Sequence, residues 1–409
     1  MLLIKNGFVF TGDGSSGLTA NMRQLDGSSG VSADILIKDG RIIDIAEFIP
    51  ESADMTIIDA TGLIVAPGLV DMHVHFREPG FEYKEDIMTG AEAAAAGGVT
   101  TCCCMPNTSP VVDSKEIVES IVCKARQAQV NVLPIGAVTV GQKGIKLTEF
   151  ATLIKAGAVA LSDDGIPIES AEVMREALRT SDENNILVIS HCEEEAPMAA
   201  RDVELAAVTG AGVHIAHVST ANAVDTIRNA KAAGIKVTAE TCPHYFSLTE
   251  DAVPKKGTLA KMSPPLRTAG DVAAIIRGLC DGTIDVIATD HAPHSADEKA
   301  LPFDKAPNGI IGLETSLGVT LTFLYHTGKL TIDEVINLVS TKPAQILNLD
   351  AGILGTGSIA DIVIFDKNEE WLVDPSQFKS KARNTPFGGM KLRGKVKYTI
   401  SRGEIVYRG

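Results

Sequence analysis

The feature that most constrains this chain is an alternation of two patterns, which runs from residue 63 onward. Short apolar runs rich in β-branched residues alternate with longer stretches that have helical periodicity. Strands that are apolar on both faces and alternate with helices are typical of a parallel sheet covered by helices. Eight such strands predict a (β/α)₈ TIM barrel, with a doubly wound open sheet as the alternative. The strand candidates are residues 69–75, 98–104, 130–138, 158–162, 186–190, 213–219, 235–240 and 285–290.

The end of the first strand candidate argues against the open sheet. A doubly wound fold that binds nucleotides usually has a Gly-rich turn at that point, because the backbone must approach a phosphate closely. Here the strand ends in HVHFRE instead. The stretches that follow later strands, such as TANAVDTIRNAKAAG, begin with a Ser or Thr suited to an N-cap and end in Gly. These caps predict helices between the strands, and the missing Gly-rich turn favours the barrel over the open sheet.

Both ends of the chain have a different pattern. Residues 1–62 and 354–409 show apolar alternation of period two, interrupted by Asn-Gly and Asp-Gly turns. We expect these two segments to combine into one small β-sandwich domain, with the barrel spanning residues 63–353. Residues 12–30 contain two copies of DGSSG around a short polar segment, which indicates a flexible or engineered insertion in a hairpin.

Charge and cysteine content limit the partners of the protein. Lys and Arg number 37 against 52 Asp and Glu, and the resulting net charge of −15 disfavours nucleic acid and anionic membranes. The seven cysteines form no CxxC pair and are odd in number, which indicates reduced thiols. Consecutive strand residues point to opposite faces, so Cys102, Cys103 and Cys104 cannot share one metal ion. Without a long apolar run, the sequence predicts a cytoplasmic protein that acts on a small molecule.

Side chains able to bind metal stand at the C-terminal ends of the strand candidates. In a barrel of this type these ends form the active face. Four imidazoles and two carboxylates that converge there would suit zinc or a similar divalent ion, with enough ligands for two ions. The candidates are the imidazoles of His73, His75, His191 and His217, and the carboxylates of Asp290 and of Asp163 or Asp164.

Each of these residues also has a structural interpretation. An isolated HxH on a strand is more often structural than metal-binding, and Asp163 could be a capping carboxylate. Asp285 begins its strand, at the wrong end for catalysis. His291 and His294 could be turn residues or substrate contacts. Three further histidines are predicted to serve packing or the surface, namely His214, His244 and His326.

Several motifs, taken in their order along the chain, resemble one family. They are DMHVHFREPG, MPNTSP, SDDG, SHCEE, HVST, ETCPHY, KMSPPLR and ATDHAPH. This set is similar to the class I bacterial dihydroorotases of the amidohydrolase superfamily, zinc enzymes that close carbamoyl-aspartate to dihydroorotate. The resemblance covers nearly the whole chain. Because HVST and MPNT are shared with hydantoinases and allantoinases, these two motifs define the superfamily better than the substrate.

The resemblance implies one or two zinc ions per subunit, with two expected. It implies Asp290 as the residue that shuttles a proton, and Asp164 in the place that a carboxylated lysine occupies in many relatives. It also implies that Arg77, Asn107 and His294 hold the carboxylate and ring of the substrate, although MPNTSP alone equally suits an Asn turn at Asn107. The implied metal ligands are His73, His75, Asp164, His191, His217 and Asp290.

Two features depart from the pattern of the family. In KMSPPLR, Ser263 stands where relatives usually carry asparagine, so a hydrogen bond to the substrate ring should be shortened, lost or mediated by water. Relatives also insert roughly two dozen residues between HCEE and the helix that contains ARD, whereas SHCEEEAPMAARDVELA joins them directly here. A trimmed loop, or a cut in the sequence, would explain the second departure.

The resemblance therefore implies a zinc-dependent dihydroorotase of de novo pyrimidine biosynthesis, expected to be a homodimer and able to associate with aspartate transcarbamoylase. One alternative is a hydantoinase or allantoinase, which Arg77 disfavours because a guanidinium suits a substrate with a free carboxylate. Another alternative is a non-catalytic, dihydroorotase-like partner of aspartate transcarbamoylase. Such proteins usually lose metal ligands, and this chain retains all six.

Overall fold

A parallel barrel and a second, mainly antiparallel sheet make up the fold. The computed structural model describes residues 1–12 and 28–409, so most of the predicted insertion at 12–30 lies outside the described residues. The strands are β1 (Leu2–Val9), β2 (Val31–Lys38), β3 (Arg41–Ala46), β4 (Thr56–Asp59), β5 (Ile64–Pro67), β6 (Leu69–Val74), β7 (Val99–Cys104), β8 (Asn131–Pro134), β9 (Leu161–Ser162), β10 (Val188–Ser190), β11 (Val213–Ile215), β12 (Val237–Thr241), β13 (Val286–Ile287), β14 (Ile362–Leu372), β15 (Lys391–Ser401) and β16 (Glu404–Arg408).

The helices lie mostly between the barrel strands. They are α1 (Ile87–Ala96), α2 (Lys115–Ala125), α3 (Phe150–Ala156), α4 (Ala171–Glu183), α5 (Glu195–Thr209), α6 (Ala221–Ala232), α7 (Pro243–Ser247), α8 (Val253–Lys256), α9 (Ala269–Cys280), α10 (Ala296–Lys299), α11 (Ser316–Thr320), α12 (Ile332–Ile336) and α13 (Lys342–Ile346). Several start where the sequence predicts a cap. Ser170, Thr220 and Thr268 each accept a hydrogen bond from the backbone N–H three residues later, which fixes the first turns of α4, α6 and α9.

The barrel consists of β6 to β13, which pair in parallel and in chain order. A bridge between Gly136 and Leu161 joins β8 to β9, and a bridge between Val74 and His291 closes the cylinder. Within residues 1–12 and 28–409 these are eight parallel strands alternating with helices, so the predicted (β/α)₈ barrel is confirmed. Because neighbouring strands run the same way, all their C-terminal ends meet at one rim.

The observed strands are shorter than the predicted ones. The candidate at 130–138 contracts to β8, where Pro134 has no N–H to continue the ladder, and the candidate at 285–290 contracts to β13. Beyond β13 the chain bends sharply, since Asp290 has a φ of 47° in the left-handed region. The residues beyond the observed strands lie toward the rim, and some of them still bond to the neighbouring strand, as Ile135 does to Cys104 and Ala288 to Thr241.

The apolar run LIVAPGLVDMHVH forms two strands instead of one. Residues Ile64–Pro67 pair with β1 and β14 of the second sheet, and the barrel begins at Leu69. Gly68 lies at the junction, where its backbone passes so close to Thr100 that an added Cβ would lie 2.1 Å from the threonine Oγ1. A residue without a side chain is therefore required at this crossing.

The two ends of the chain share one sheet, as the sequence predicts. Its order is β16-β15-β14-β5-β1-β2-β3, with β4 paired to β1, and the antiparallel pair β5–β14 joins the N-terminal and C-terminal parts. Its own apolar cluster includes Ile4, Ile35 and Ile362, all fully buried. This small sandwich-like sheet lies beside the barrel, and the division of the chain into two domains at 62 and 354 stays a prediction.

Side chains of alternate strand residues fill the inside and cover the outside of the barrel. Cys103 belongs to the interior cluster with Met72 and Ile189, whereas Cys102 and Cys104 belong to the larger cluster that packs against the helices. The expectation that these thiols cannot share one ion is thereby confirmed. All seven cysteines are free. In the described part of the chain, no helix is long and apolar enough to cross a bilayer.

Candidate metal centre

Six side chains converge at the C-terminal rim of the barrel, and each comes from the end of a strand. His73 is on β6, and His75 follows that strand directly. The other four stand one to three residues beyond their strands, where the backbone leaves the ladder. They are Asp164 after β9, His191 after β10, His217 after β11 and Asp290 after β13, and all six are buried.

Asp164 lies at the middle of this cluster. Its Oδ1 is 3.2 Å from Nε2 of His73 and 3.2 Å from Nδ1 of His191, and 3.7 Å from Nε2 of His217. Its other oxygen, Oδ2, is 3.4 Å from Nε2 of His75. A single carboxylate thus faces four imidazoles with both of its oxygens, which is the geometry that a bridging ligand requires.

Asp290 approaches the same cluster from the last barrel strand. Its Oδ1 lies 3.0 Å from Nε2 of His75 and 3.7 Å from Nε2 of His73. The backbone is strained here, because Arg77, His217 and Asp290 have φ values of 61°, 35° and 47°, which non-glycine residues rarely adopt. Such strain is concentrated at functional sites, where the surrounding fold holds side chains in a required orientation.

The donor set fits divalent metal ions. Two groups of potential ligands have atoms within 4.8 Å of one another, namely His73, His75 and Asp164, and Asp164, His191 and His217. Nε2 of His73 and Oδ1 of Asp164 are buried and have no hydrogen-bond partner in residues 1–12 and 28–409. Buried polar atoms normally find a partner, and a cation between these groups would supply one. Imidazole nitrogens with carboxylate oxygens are the ligands that zinc prefers in catalytic sites.

The charges in the cluster favour ionised carboxylates. Burial alone would raise the pKa of Asp164, but His73 and His191 outweigh it and hold the pKa well below its usual value. Burial acts in the same direction on Asp290, and the hydrogen bond from His75 together with the charge of His73 lowers its pKa. Both carboxylates are therefore negatively charged and suited to bind a cation.

A cavity of about 240 Å³ opens directly above the cluster. Five of the six candidate ligands line it, and His73 lies beneath them. Every residue that the sequence predicts to contact substrate lines it too, and these are Arg77, Asn107, Ser263 and His294. A larger cavity of about 460 Å³ lies beside Trp371 and Phe378, but it lacks the converging imidazoles.

The candidate substrate contacts are held by neighbouring backbone and side chains. Arg77 donates from Nε to the carbonyl of Pro293 at 3.2 Å, and its Nη2 lies 3.4 Å from Nε2 of His294. His294 in turn lies 2.8 Å from the carbonyl oxygen of Asn308. Oδ1 of Asn107 accepts from Nδ1 of His75 at 2.8 Å, which leaves Nε2 of that histidine for the cluster. Arg77 and His294 are thus held in place beside the candidate metal ligands.

Gly165 makes room for Asn107. It follows Asp164 with a φ of 86°, and an added Cβ would lie 2.9 Å from Nδ2 of Asn107. A side chain at this position would both strain the backbone and displace the amide from the cavity wall. The Gly of the SDDG motif is therefore explained by the approach of the MPNT loop.

The remaining sequence candidates lie away from the cavity. Asp163 accepts hydrogen bonds from the backbone and side chain of Thr139, so it anchors a loop, whereas the cap of the next helix is Ser170. His291 accepts from the backbone N–H of Gly312 at 3.2 Å and faces Glu85. Asp285 lies at the opposite end of the barrel, bonded to Lys231 at 2.6 Å.

The three histidines predicted to serve packing have different surroundings. His326 lies 2.7 Å from the carbonyl oxygen of Lys367, outside the cluster. His244 is buried, and burial lowers its pKa to about 4, so its ring is neutral. His214 is buried beneath the rim, 3.4 Å from the carboxylate of Glu240. It therefore lies closer to the metal centre than the sequence pattern predicts.

Four residues near the site are absent from the sequence prediction. Glu240 ends the seventh strand candidate, so the rule that selects the other strand ends would have found it. Glu193 lines the cavity two residues after His191. Asn308 and Gly309 also line it, on a segment that returns to the rim after α10. No local sequence signal indicates that return.

The connection after His191 is short, as the sequence predicts. Strand β10 ends at Ser190 and helix α5 begins at Glu195. Glu195 is buried and accepts hydrogen bonds from the backbone of Ser219 at 3.0 Å and of Thr220 at 2.7 Å. Its carboxylate thereby ties the short connection to the loop that follows His217.

The sequence pattern of the amidohydrolase family matches residues 64–406 of this chain. Among curated relatives, the chain is 48% identical over 435 aligned positions to a protein of Citrifermentans bemidjiense named dihydroorotase, covering 100% of this chain and 99% of the relative. It is 50% identical to a dihydroorotase of Acetivibrio thermocellus, covering 92% and 94%. The first alignment exceeds the 409 residues of this chain by 26 positions, which agrees in size with the missing segment after HCEE.

Solved structures of cyclic amidases share the fold. An L-hydantoinase (dihydropyrimidinase) from Arthrobacter aurescens superposes with a TM-score of 0.88 at 26% identity, covering 100% of this chain and 96% of that one. A D-hydantoinase (dihydropyrimidinase) from Thermus sp. gives 0.86 at 25% identity, covering 100% and 95%. Together with the two His/Asp groups, the family match indicates a metal cofactor.

Proposed function

The chain belongs to the amidohydrolase family, and on this basis we propose that it is a dihydroorotase, which interconverts N-carbamoyl-L-aspartate and L-dihydroorotate in de novo pyrimidine biosynthesis. The observation that carries the proposal is a single cavity lined on one side by candidate metal ligands and on the other by candidate substrate contacts. The candidate metal ligands are the His/Asp cluster, and the candidate substrate contacts include the guanidinium of Arg77 beside Asn107 and His294. The curated relatives named dihydroorotase, which match along the full chain, support the same activity.

The cofactor that we propose is zinc, with two ions per subunit, and Asp164 would help to hold both. His73, His75 and Asp290 would hold one ion, and His191 and His217 the other. When bound, such ions supply activated water at neutral pH and polarise the carbonyl that is attacked. The shared position of Asp164 between all four imidazoles supports this arrangement.

Asp290 is the proposed proton carrier. Its carboxylate borders the cavity next to His75 and is held in its ionised form. In hydrolysis it would accept a proton from the attacking water and then give that proton to the ring nitrogen as the amide bond breaks. Cyclisation would use the same two transfers in reverse order.

Arg77 is the proposed anion clamp. A guanidinium can bind a carboxylate with two parallel hydrogen bonds, which fixes orientation as well as charge. Its contact with Pro293 fixes the side chain beside His294, so both can face the same carboxylate. Asn107 and Ser263 would contact the rest of the substrate, and the short hydroxyl of Ser263 would reach the ring less closely than an asparagine.

A hydantoinase is the competing activity, since hydantoinases share this fold. The two activities differ in what the substrate carries, because dihydroorotate has a carboxylate and unsubstituted hydantoin does not. We expect the purified protein to consume dihydroorotate, measured by its ultraviolet absorbance, and to leave hydantoin unchanged under the same conditions. Turnover of hydantoin alone would reverse the assignment.

A non-catalytic partner of aspartate transcarbamoylase is the second alternative. A scaffold has no need of bound metal, so a purified protein without stoichiometric zinc and without turnover would favour it. A cytoplasmic location, a homodimer and an association with aspartate transcarbamoylase accompany the proposal as predictions. The free thiols of all seven cysteines agree with a reducing compartment.

A further inference from the structure

One buried carboxylate beneath the metal centre has none of the roles assigned above. Glu240 is on β12, the seventh strand of the barrel, and its side chain is fully buried. It is not among the residues that line the cavity above the cluster. A carboxylate in such surroundings requires compensating partners, and these partners indicate its role.

Glu240 contacts both halves of the metal centre. Its Oε1 is hydrogen-bonded to Nδ1 of His73 and also accepts from the backbone N–H of His217 at 3.3 Å. His73 belongs to the first ligand group and His217 to the second. One carboxylate therefore holds the ring of one proposed ligand and the backbone of another. The second contact acts on a strained residue, since His217 has a φ of 35°.

The contact with His73 determines which ring nitrogen can bind a metal ion. A neutral imidazole has one N–H and one lone pair, and a carboxylate accepts the N–H. With Nδ1–H donated to Glu240, the lone pair is on Nε2, which faces Asp164 at 3.2 Å. Histidines that bind metals almost always donate their other nitrogen in this way. His75 shows the same arrangement, with Asn107 as its acceptor.

His214 extends the contact on the far side of Glu240. Its ring is fully buried on β11, with Nε2 3.4 Å from Oε2 of Glu240 and Nδ1 2.8 Å from Oγ1 of Thr238. The chain of contacts thus runs from Thr238 through His214 and Glu240 to His73. At 3.4 Å the link between His214 and Glu240 is a weak one, so its effect should be smaller than that of Glu240 itself.

We propose that Glu240 is a positioning residue of the metal centre, supported by His214. It fixes the orientation and tautomer of His73 and the backbone of His217, and it thereby strengthens cation binding. This inference rests on the proposed metal site and adds to it a layer of residues that touch neither metal nor substrate.

The test is the zinc affinity of the metal-free protein, measured by competition with a chromophoric chelator. Glu240→Gln keeps the shape of the side chain but replaces the carboxylate with a weaker, neutral acceptor. We expect zinc binding to weaken by about 10-fold to 100-fold, and by less in His214→Gln. Asp285→Asn is the matched control, because this buried carboxylate also bonds to β12, at the backbone of Ala239, but its other partner is Lys231 and not a proposed metal ligand. Its zinc affinity should be unchanged.

Circular dichroism would establish that the variants fold, and a folded Glu240→Gln protein with wild-type zinc affinity would overturn the inference. If that variant does not fold, the tautomer of His73 can be measured in the wild-type protein instead. Nitrogen NMR of its zinc-loaded form should show His73 protonated at Nδ1, with the signal assigned by its loss in His73→Ala, and protonation at Nε2 would contradict the proposal. A wild-type protein that binds no zinc would remove the proposed function as well, whereas unchanged affinity in Glu240→Gln would leave that function intact.

Discussion

The two ends of the barrel both bury carboxylates, but they satisfy them differently. At the N-terminal end, Asp285 accepts from the ammonium of Lys231 at 2.6 Å and from the backbone of Ala239 at 2.9 Å. Asp361 accepts from Asn131 at 2.8 Å and from the backbone of Arg402 at 2.6 Å. At the C-terminal rim, Oδ1 of Asp164 has no hydrogen-bond partner among the described residues, although imidazoles surround it.

This difference distinguishes carboxylates that stabilise the fold from the carboxylate that we propose to bind metal ions. Lysine and backbone N–H groups are permanent donors, so the carboxylates beside them are satisfied by the chain itself. Imidazole nitrogens with their lone pairs toward a carboxylate need a cation between them. Contacts that stabilise the fold are thus found at the N-terminal end of the barrel, and the proposed chemistry is at the C-terminal rim, as in barrel enzymes generally. Substitutions at the two ends should therefore have different consequences.

The largest effect is expected from His73→Ala at the rim. Loss of a ligand that contacts Asp164 should remove the activated water, which contributes several kcal/mol to catalysis, so activity should fall by about 10³-fold or more. The variant should still fold, because rim residues contribute little to barrel stability. Dihydroorotate turnover measures the activity, and a thermal melt shows whether the variant folds. Wild-type turnover would contradict the proposed metal site.

Asp290→Asn is expected to lower kcat by about 10²-fold to 10⁴-fold, the usual range for loss of a general acid–base group. The amide keeps the size of the side chain but can no longer carry the proton. Zinc content should be measured together with kcat, so that a loss of metal is distinguished from a loss of proton transfer. A variant that retains zinc and turns over at the wild-type rate would exclude Asp290 as the proton carrier.

Arg77→Lys should act mainly on KM. Lysine keeps the charge but loses the two-pronged contact, and a charge-assisted hydrogen bond is worth about 1.5–3 kcal/mol, so KM should rise by about 10-fold to 100-fold. The value of kcat should change little, because the guanidinium binds the carboxylate and not the reacting amide. Initial rates over a range of dihydroorotate concentrations check this. An unchanged KM would exclude Arg77 as the residue that binds the substrate carboxylate.

The smallest effect on activity is expected from Asp285→Asn at the N-terminal end. The substitution weakens the contact with Lys231 and should lower the free energy of unfolding by about 1–3 kcal/mol. Values of kcat and KM should equal those of the wild type. A drop in kcat/KM without a loss of stability, measured by denaturant unfolding, would show that the two ends are not separate.

The sequence predicts most of the rim because one rule covers it. In a parallel barrel all C-terminal strand ends meet, so His73, Asp164, His191 and Asp290 can be placed together without knowing any distance. The rule selects Glu240 too, since this residue ends the seventh strand candidate, but it cannot show that the carboxylate lies beneath the cluster and not at the cavity wall. It also cannot place Asn308, because the approach of that segment depends on tertiary contacts made after α10.

The strand boundaries show a second limit. The run LIVAPGLVDMHVH has the composition of one long strand, but it crosses from one sheet to the other at Gly68. Hydrophobic pattern reports burial and not the sheet to which a residue belongs, since both sheets are apolar here. Only Pro67 and Gly68 indicate the break.

In the proposed metal centre, Asp164 and the four imidazoles around it bind divalent cations together at one end of the barrel. Anomalous scattering at the zinc edge, from a crystal of the zinc-loaded protein, tests this directly. We expect two peaks at the rim, both within coordination distance of Asp164, one beside His73 and His75 and the other beside His191 and His217. Peaks elsewhere, or none at the rim, would contradict the proposed metal centre.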